Sequence, residues 1–207
     1  DEARIRYMNL KAAVYGALND LESCYRYLCD AKTLAEEQQS FEILMVIEAN
    51  ITHYFFEKAR YDEALVHLER AFVICEQINY ERKQPYVSLH ARYISICVEQ
   101  KKFEEARARI AYIESYPNIE KQSYYKYFVK AVVVYECALQ QYERAYIRLQ
   151  KEMQRFEQNE RMYDYFYEQF IDVAEHVEPL EQYIKTLETY YEYILEQQKQ
   201  QQQQRAE

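Results

Sequence analysis

Glycine is almost absent from this chain: of its 207 residues, only Gly16 is a glycine. At average usage a chain of this length carries about fourteen. Loops that cradle a phosphate or a dinucleotide use several glycines to bring the backbone close to the ligand. The tight turns of β-proteins likewise need residues that accept a positive φ. The composition therefore argues against nucleotide-binding loops and all-β folds, and it favours helices joined by short polar turns.

The charge balance is acidic, with 35 Asp and Glu against 26 Lys and Arg and a formal net charge of −9. Proteins that bind nucleic acid normally carry a basic surface, so we predict no nucleic-acid partner. No stretch is apolar enough for a membrane span, and the first residues are charged rather than signal-like. We therefore predict no membrane partner and a cytoplasmic location. Because the sequence starts with Asp1, we also expect an excised or processed segment of a longer protein.

Five cysteines and four histidines are spread through the chain without a catalytic or metal-binding pattern. The odd number of cysteines and their apolar neighbours predict free, buried thiols in a reducing compartment. No histidine stands in an HExxH motif or at zinc spacing from a pair of cysteines. We therefore predict no enzyme, no cofactor and no metal site. An acidic row at Glu168, Asp172 and Glu175 is interpreted as a solvated helix face, with a metal or basic-partner site as the alternative.

A short motif recurs along the chain: an aromatic residue, an acidic residue, a charged residue and then alanine. It occurs at residues 61–64, 103–106 and 142–145, and an aliphatic residue follows each alanine by four positions. These offsets place a small and a larger apolar side chain on one helical face. Weaker copies are anchored at Cys24 and Tyr183, so that the five anchors are spaced by 38 to 42 residues.

Each copy is preceded by an apolar helical segment, and a few polar residues join the two helices. We therefore predict five helical hairpins, about ten helices, within residues 1–195, separated at residues such as Asn79 and Pro85. The units lie near residues 5–40, 45–80, 85–116, 122–158 and 162–195. One hairpin cannot bury its apolar faces alone, so successive hairpins are expected to stack into a solenoid.

This alternation of small and large residues on the second helix of each unit, after an aromatic–acidic turn, resembles the tetratricopeptide repeat. Units of about 40 residues are similar to those of bacterial regulatory domains of that family, including intracellular peptide-pheromone receptors. The resemblance implies an all-α, right-handed superhelical solenoid whose first helices line a concave groove. It also implies non-catalytic binding of a peptide or protein segment by the regulatory or sensory part of a signalling protein. The alternatives are a pheromone receptor domain and a structural module that forms a homodimer through its tyrosine-rich last helix.

The register of the resemblance implies which residues face the groove. Fourteen residues before each anchor stand Leu10, Asn50, Arg92, Ala131 and Gln169. Neighbouring groove positions are Arg6, Asn9, His53, Ser88, Ser95, Tyr127, Lys130 and Tyr165. An asparagine amide both donates to and accepts from a peptide backbone, and an arginine can hold a carboxylate with two hydrogen bonds. We predict a ligand site at Asn50, His53, Arg92, Tyr127, Lys130 and Gln169. The alternative is that Asn50 and Arg92 are solvated or paired with neighbouring acids.

We also interpret the tyrosines, the glutamine-rich tail and Gly16. The 24 tyrosines are interpreted mainly as packing residues between helices, and the remainder as groove residues. Residues 196–207 are a glutamine-rich tail, for which three interpretations stay open: a helix that continues into solvent, a frayed end, or a connection to a further domain. Gly16 falls within a helix, where it is expected to leave room for a ligand or a neighbouring helix.

Overall fold

The computed structural model describes residues 2–78 and 86–206, with side chains described as far as residue 204. These residues form ten α-helices and no strand, which confirms the predicted all-α fold. The helices are α1 (Glu2–Ala17), α2 (Leu21–Glu37), α3 (Phe41–Glu57), α4 (Tyr61–Gln77), α5 (Val87–Glu99), α6 (Phe103–Glu114), α7 (Tyr125–Ala138), α8 (Tyr142–Arg155), α9 (Glu160–Val177) and α10 (Leu180–Ala206). The break predicted at Asn79 and Pro85 lies outside the described residues.

The chain divides into two compact units, residues 1–131 and 132–207. In the first unit each helix from α1 to α6 packs against a sequence neighbour, and α3 also contacts α1 and α5. In the second unit α8 packs against α9, and α9 packs against α10. Short connections favour this packing of each helix on the next one along the chain.

The alanines of the recurring motif lie in the core. Ala64, Ala106 and Ala145 have no exposed surface, which is the position expected of a small residue where two helices approach closely. The aliphatic residues four positions later are buried as well: Leu68, Ile110 and Leu149. The weak fifth copy departs from this pattern, because Leu187, four residues after Tyr183, is 37% exposed.

Five helix connections share one backbone motif that is built without glycine. Each has three residues, of which the middle one adopts a φ between 53° and 60°: Asn19, Gln39, Ala59, Lys101 and Gln140. The middle amide donates to the carbonyl three residues back, and the next amide donates to the carbonyl five residues back. This is the Schellman arrangement, which satisfies the last carbonyl groups of a helix. Glycine accepts such a φ most readily, so these turns hold other residues in a conformation of higher energy.

The single glycine serves none of these turns. Gly16 lies in α1, one residue before the helix ends, and its φ is not positive. A Cβ atom placed on it would lie 3.6 Å from Sγ of Cys24 in α2, an ordinary van der Waals distance. The space beside Gly16 therefore lies next to helix α2. A neighbouring helix at this position was one of the two expectations for Gly16; the other was a ligand.

Tyrosine rings fill the contacts between helices in both units. Tyr25 of α2 stacks on Tyr54 of α3 with ring centres 4.3 Å apart, and Tyr167 of α9 meets Tyr190 of α10 edge-on at 4.8 Å. The glutamine-rich tail is part of α10, which continues to Ala206, and its side chains from 198 to 204 are exposed. The helix thus continues past Leu195, where the apolar periodicity stops. This agrees with the interpretation of the tail as a helix that continues into solvent.

Candidate ligand-binding site

Three of the predicted site residues are connected by electrostatic interactions: His53 of α3, Arg92 of α5 and Tyr127 of α7. The guanidinium carbon of Arg92 in α5 lies 5.0 Å from the ring centre of Phe56 in α3. Arg92 also interacts electrostatically with His53 of α3 and with Tyr127 of α7. Arg92 is therefore the residue that the electrostatic interactions of His53 and Tyr127 have in common, and we take it as the centre of the candidate site.

Helix α3 divides into a buried side and a side that faces the site. Ile47 and Ile51 are buried in the core, whereas Asn50, His53 and Glu57 follow one another at intervals of three and four residues. Side chains at these intervals share one face of a helix. The apolar run that forces α3 into the core thus leaves one row of polar side chains at the edge of that core.

Arg92 is a half-buried cation that contacts no acidic partner among the described residues. Burial lowers the pKa of its guanidinium, while the charge of Glu57 and the hydroxyl of Tyr127 act in the opposite direction. Within residues 2–78 and 86–206, no carboxylate forms an ion pair with Arg92 and no acceptor is hydrogen-bonded to it. A guanidinium carries five N–H donors, and a carboxylate or phosphate is the group that two of them bind best.

His53 stands beside this cation and is neutral at neutral pH. Its Nδ1 atom lies 3.5 Å from Oε1 of Glu57. The surrounding protein lowers the pKa of His53 by displacing water, and the positive charge of Arg92 lowers it further, against the opposing effect of Glu57. An anion bound at Arg92 would reverse part of this effect, since a negative charge favours the imidazolium.

Asn50 is paired with Asn9, another residue that the register placed in the groove. Nδ2 of Asn50 donates to Oδ1 of Asn9 at 2.9 Å, which links α3 to α1. Among the described residues, Oδ1 of Asn50 and Nδ2 of Asn9 have no hydrogen-bond partner. The pair therefore offers one acceptor and one donor group to a ligand, even though Asn50 is neither solvated alone nor paired with an acid.

The remaining predicted residues are placed less centrally. Lys130 lies one turn after Tyr127 on α7 and is exposed. Gln169 belongs to the second unit, where its Nε2 atom donates to the carbonyl of Tyr165 at 2.9 Å and its buried Oε1 atom has no partner. Arg6, which was expected to make the groove basic, forms an ion pair with Glu2 at 2.6 Å.

Two residues that the register did not name, Phe56 and Glu57, also shape the site. Phe56 supplies the ring on which Arg92 rests, and Glu57 is the nearest acidic influence on both Arg92 and His53. A register that counts back from one anchor names single positions in each unit. The signal that would have found these residues was their spacing from His53, three and four positions along the same helix.

A second charged cluster lies inside the first unit and was also missed. The carboxylate of Glu48 in α3 has no exposed surface. Its Oε1 atom lies 3.0 Å from Nζ of Lys32 and 3.2 Å from Nε of Arg70, and its Oε2 atom lies 2.6 Å from Nδ1 of His67. Burial acts to raise the pKa of Glu48, but the bonds to His67 and Lys32 outweigh it, so the pKa is lowered.

The next hairpin holds a polar contact at the equivalent pair of positions. Counted 42 residues on from Glu48 and His67 stand His90 and Arg109, and an Arg109 nitrogen lies 3.0 Å from Nδ1 of His90. Each contact spans 19 residues and ties the first helix of a hairpin to the second. The repeat therefore reproduces a position for a polar link as well as positions for core residues.

Neither the described residues nor the comparisons with known proteins give a more specific assignment. Within the described residues, no three His, Cys, Asp or Glu side chains are grouped as metal ligands. None of the described helices combines the length and apolar character needed to cross a membrane. No protein-family model matches the chain, and no curated protein sequence matches it. The functional assignment therefore rests on the geometry around Arg92.

Proposed function

We propose that the chain is a non-catalytic module that binds a peptide or protein segment through a site centred on Arg92. In this proposal the helical hairpins stack as a right-handed, tetratricopeptide-like solenoid within a cytoplasmic regulatory or sensory protein. The buried alanine anchors and the packing of successive helices support the architecture. The observation that carries the binding proposal is the half-buried guanidinium of Arg92, which lacks an acceptor among the described residues.

The surroundings of Arg92 suit a carboxylate ligand. Phe56 lies against the guanidinium, and an arginine held on an aromatic ring loses less conformational freedom when it binds. His53 and the 44% exposed ring of Tyr127 flank the site and offer a hydrogen-bonding group and an apolar surface. A carboxylate at Arg92 would form two charge-assisted hydrogen bonds, which are stronger than those between neutral groups.

The amide pair of Asn9 and Asn50 suits a peptide backbone. Each peptide unit presents one N–H donor and one carbonyl acceptor. The pair leaves Oδ1 of Asn50 as an acceptor and Nδ2 of Asn9 as a donor group for such a unit. Asn50 lies one turn before His53 on the same face of α3. The ligand we propose is therefore a peptide whose carboxylate binds Arg92 while a nearby backbone unit binds the two asparagines.

The overall charge narrows the ligand class further. A net charge of −9 repels strongly acidic chains at long range. A ligand with one or two carboxylates next to apolar residues fits better than an acidic run. The carboxylate is either that of an Asp or Glu side chain or that of a chain terminus.

Selection from a random peptide display library tests this function. Enriched peptides are synthesised, and their Kd values are measured by fluorescence polarisation for the wild type and for Arg92→Met. Loss of a bidentate charged contact is expected to weaken binding by about tenfold or more. Arg107→Met, which removes an exposed arginine of α6 that pairs with Glu104, is the matched control and should bind as the wild type does. Peptides that bind Arg92→Met with unchanged affinity would refute the site.

A further inference from the structure

An exposed apolar row runs along α10. It consists of Leu180, Ile184, Leu187, Tyr191 and Leu195, whose side chains are between 37% and 74% exposed. Intervals of three and four residues keep these side chains on one side of the helix. A different side of α10 faces α9, where Tyr190 contacts Tyr167 and Tyr193 contacts Asp164. The row is thus left over after α10 has packed within its own unit.

Acidic side chains border this row. Glu181, Glu188 and Glu192 each follow a residue of the row by one position, and all three are exposed. Lys185 is the basic residue among them. The face therefore joins an apolar stripe to a border that is mainly negative.

Helix α1 carries a face of the opposite charge. Tyr7, Leu10, Val14 and Leu18 are between 51% and 71% exposed. They lie away from Ile5 and Ala12, which α1 buries in the core. The basic residues beside this row are Arg4, which is exposed, and Lys11, which is half-buried. The ammonium of Lys11 lies 5.7 Å from the ring centre of Tyr7 and 4.9 Å from that of Tyr27 in α2.

We propose that α1 of one copy of this chain docks along α10 of a second copy, apolar row against apolar row and basic border against acidic border. Arg4 and Lys11 are seven residues apart, as are Glu181 and Glu188. Seven residues span about 10 Å of helix in both cases, so both charge pairs form at once. Charge complementarity also favours this arrangement over α1 paired with α1 or α10 paired with α10, because those pairings bring like charges together.

The homodimer expected from the sequence, with two α10 helices paired, is one of those alternatives. It would place Glu181, Glu188 and Glu192 of one copy against the same residues of the other. In a pair joined by one such contact, the copy that contributes α1 still has its α10 face unpaired, and its partner still has its α1 face unpaired. Association of this kind continues beyond the dimer unless it closes into a ring. Arg92 belongs to neither face, so this inference and the proposed peptide site stand or fall separately.

Sedimentation velocity at increasing protein concentration tests the proposal with three double variants of the full chain. Glu181→Lys with Glu188→Lys makes both faces basic, and Arg4→Glu with Lys11→Glu makes both faces acidic. Each variant alone is expected to weaken self-association by at least about tenfold. An equimolar mixture of the two should restore it, because each basic face then meets an acidic one.

Glu69→Lys with Glu143→Lys is the matched control. It reverses two exposed glutamates outside both faces and should associate as the wild type does. Circular dichroism and thermal unfolding of every variant check that the fold is kept, above all for Lys11→Glu, because Lys11 is half-buried and contacts Tyr27. Three results would overturn the proposal: a wild type that stays monomeric at all concentrations, stronger association of the α10 variant alone, or a mixture that associates no better than its components.

Discussion

Glu48 and Arg92 are both charged groups that the first unit shields from water, but they differ in whether other residues form ion pairs with them. Glu48 is fully buried and is met by Lys32, Arg70 and His67. Arg92 is half-buried against an aromatic ring and has no acceptor among the described residues. A buried charge is tolerated when partners satisfy it. Glu48 thus has its partners inside the fold, whereas the described residues leave Arg92 without an acceptor.

The difference also predicts different consequences of mutation. Removing the charge of Glu48 leaves Lys32 and Arg70 close together without their buried carboxylate, so the stability of the folded state falls directly. Removing Arg92 takes away a group whose burial was not repaid by an internal partner. Stability should therefore report on the Glu48 cluster, and ligand binding should report on Arg92.

The largest expected effect follows from Glu48→Gln. Breaking a buried ion pair from one side costs about 3 kcal/mol or more, and the free energy of unfolding in urea should fall by about that amount. Glu36→Gln is the matched control, because Glu36 pairs with the same Arg70 but is 39% exposed in its side chain. It should cost less than about 1 kcal/mol. Equal losses in the two variants would remove the distinction between a buried and an exposed partner.

The same cluster predicts a dependence on pH. The pKa of Glu48 is below its ordinary value of 4.5, so the folded state binds the proton less readily than the unfolded state. The stability that Glu48 contributes is present above that ordinary value and is lost as the pH falls through the folded-state pKa. Urea unfolding of the wild type and of Glu48→Gln should differ most near pH 7 and converge in acid. A difference that grows towards acid pH would contradict the sign of the shift.

Asn50 is intermediate between Glu48 and Arg92. Its amide nitrogen donates to Asn9, but its amide oxygen has no hydrogen-bond partner among the described residues. Asn50→Ala should lower the free energy of unfolding by about 1 kcal/mol, the typical value of one hydrogen bond. It should also weaken binding of the selected peptides. A double-mutant cycle with Asn9→Ala isolates the amide pair. Additive stability losses would show that the Asn9–Asn50 bond contributes nothing.

The smallest expected effect on stability is that of Arg92→Met. Methionine keeps an apolar stem but removes the guanidinium, so the cost of burying that charge and its contact with Phe56 are lost together. The free energy of unfolding is therefore expected to stay within about 0.5 kcal/mol of the wild type, or to rise. Thermal unfolding followed by circular dichroism measures this. A loss comparable to that of Glu48→Gln would place Arg92 among the structural charges and weaken the proposed function.

Much of the fold could be predicted from the sequence because its signals are local. The aromatic–acidic–alanine motif marked where α4, α6 and α8 begin, and its alanines are buried in the structure. The glycine count indicated turns built from other residues, and five Schellman turns hold Asn, Gln, Ala or Lys at positive φ. Helix periodicity and turn chemistry depend on residues a few positions apart, so one sequence is enough to read them.

The candidate site was predicted only in part. The register named His53, Arg92 and Tyr127, of which Arg92 interacts electrostatically with the other two, and it gave no account of Phe56 or Glu57. The Glu48 cluster was missed although Leu44, Glu48 and Ile51 share the apolar side of α3. A charged residue on such a stripe signals a buried partner, but it does not say which residues of other helices supply that partner.

By itself the sequence determined that this chain is helical, that its alanine motif recurs at about 40 residues, and which small residues of that motif lie in the core. These properties follow from the 3.6-residue period of the helix and from side-chain size. Only the tertiary structure decided which charges are satisfied: it surrounded Glu48 with Lys32, Arg70 and His67 and left Arg92 against Phe56. Such partners come from different helices, and their distances are fixed by how those helices pack rather than by spacing along the chain.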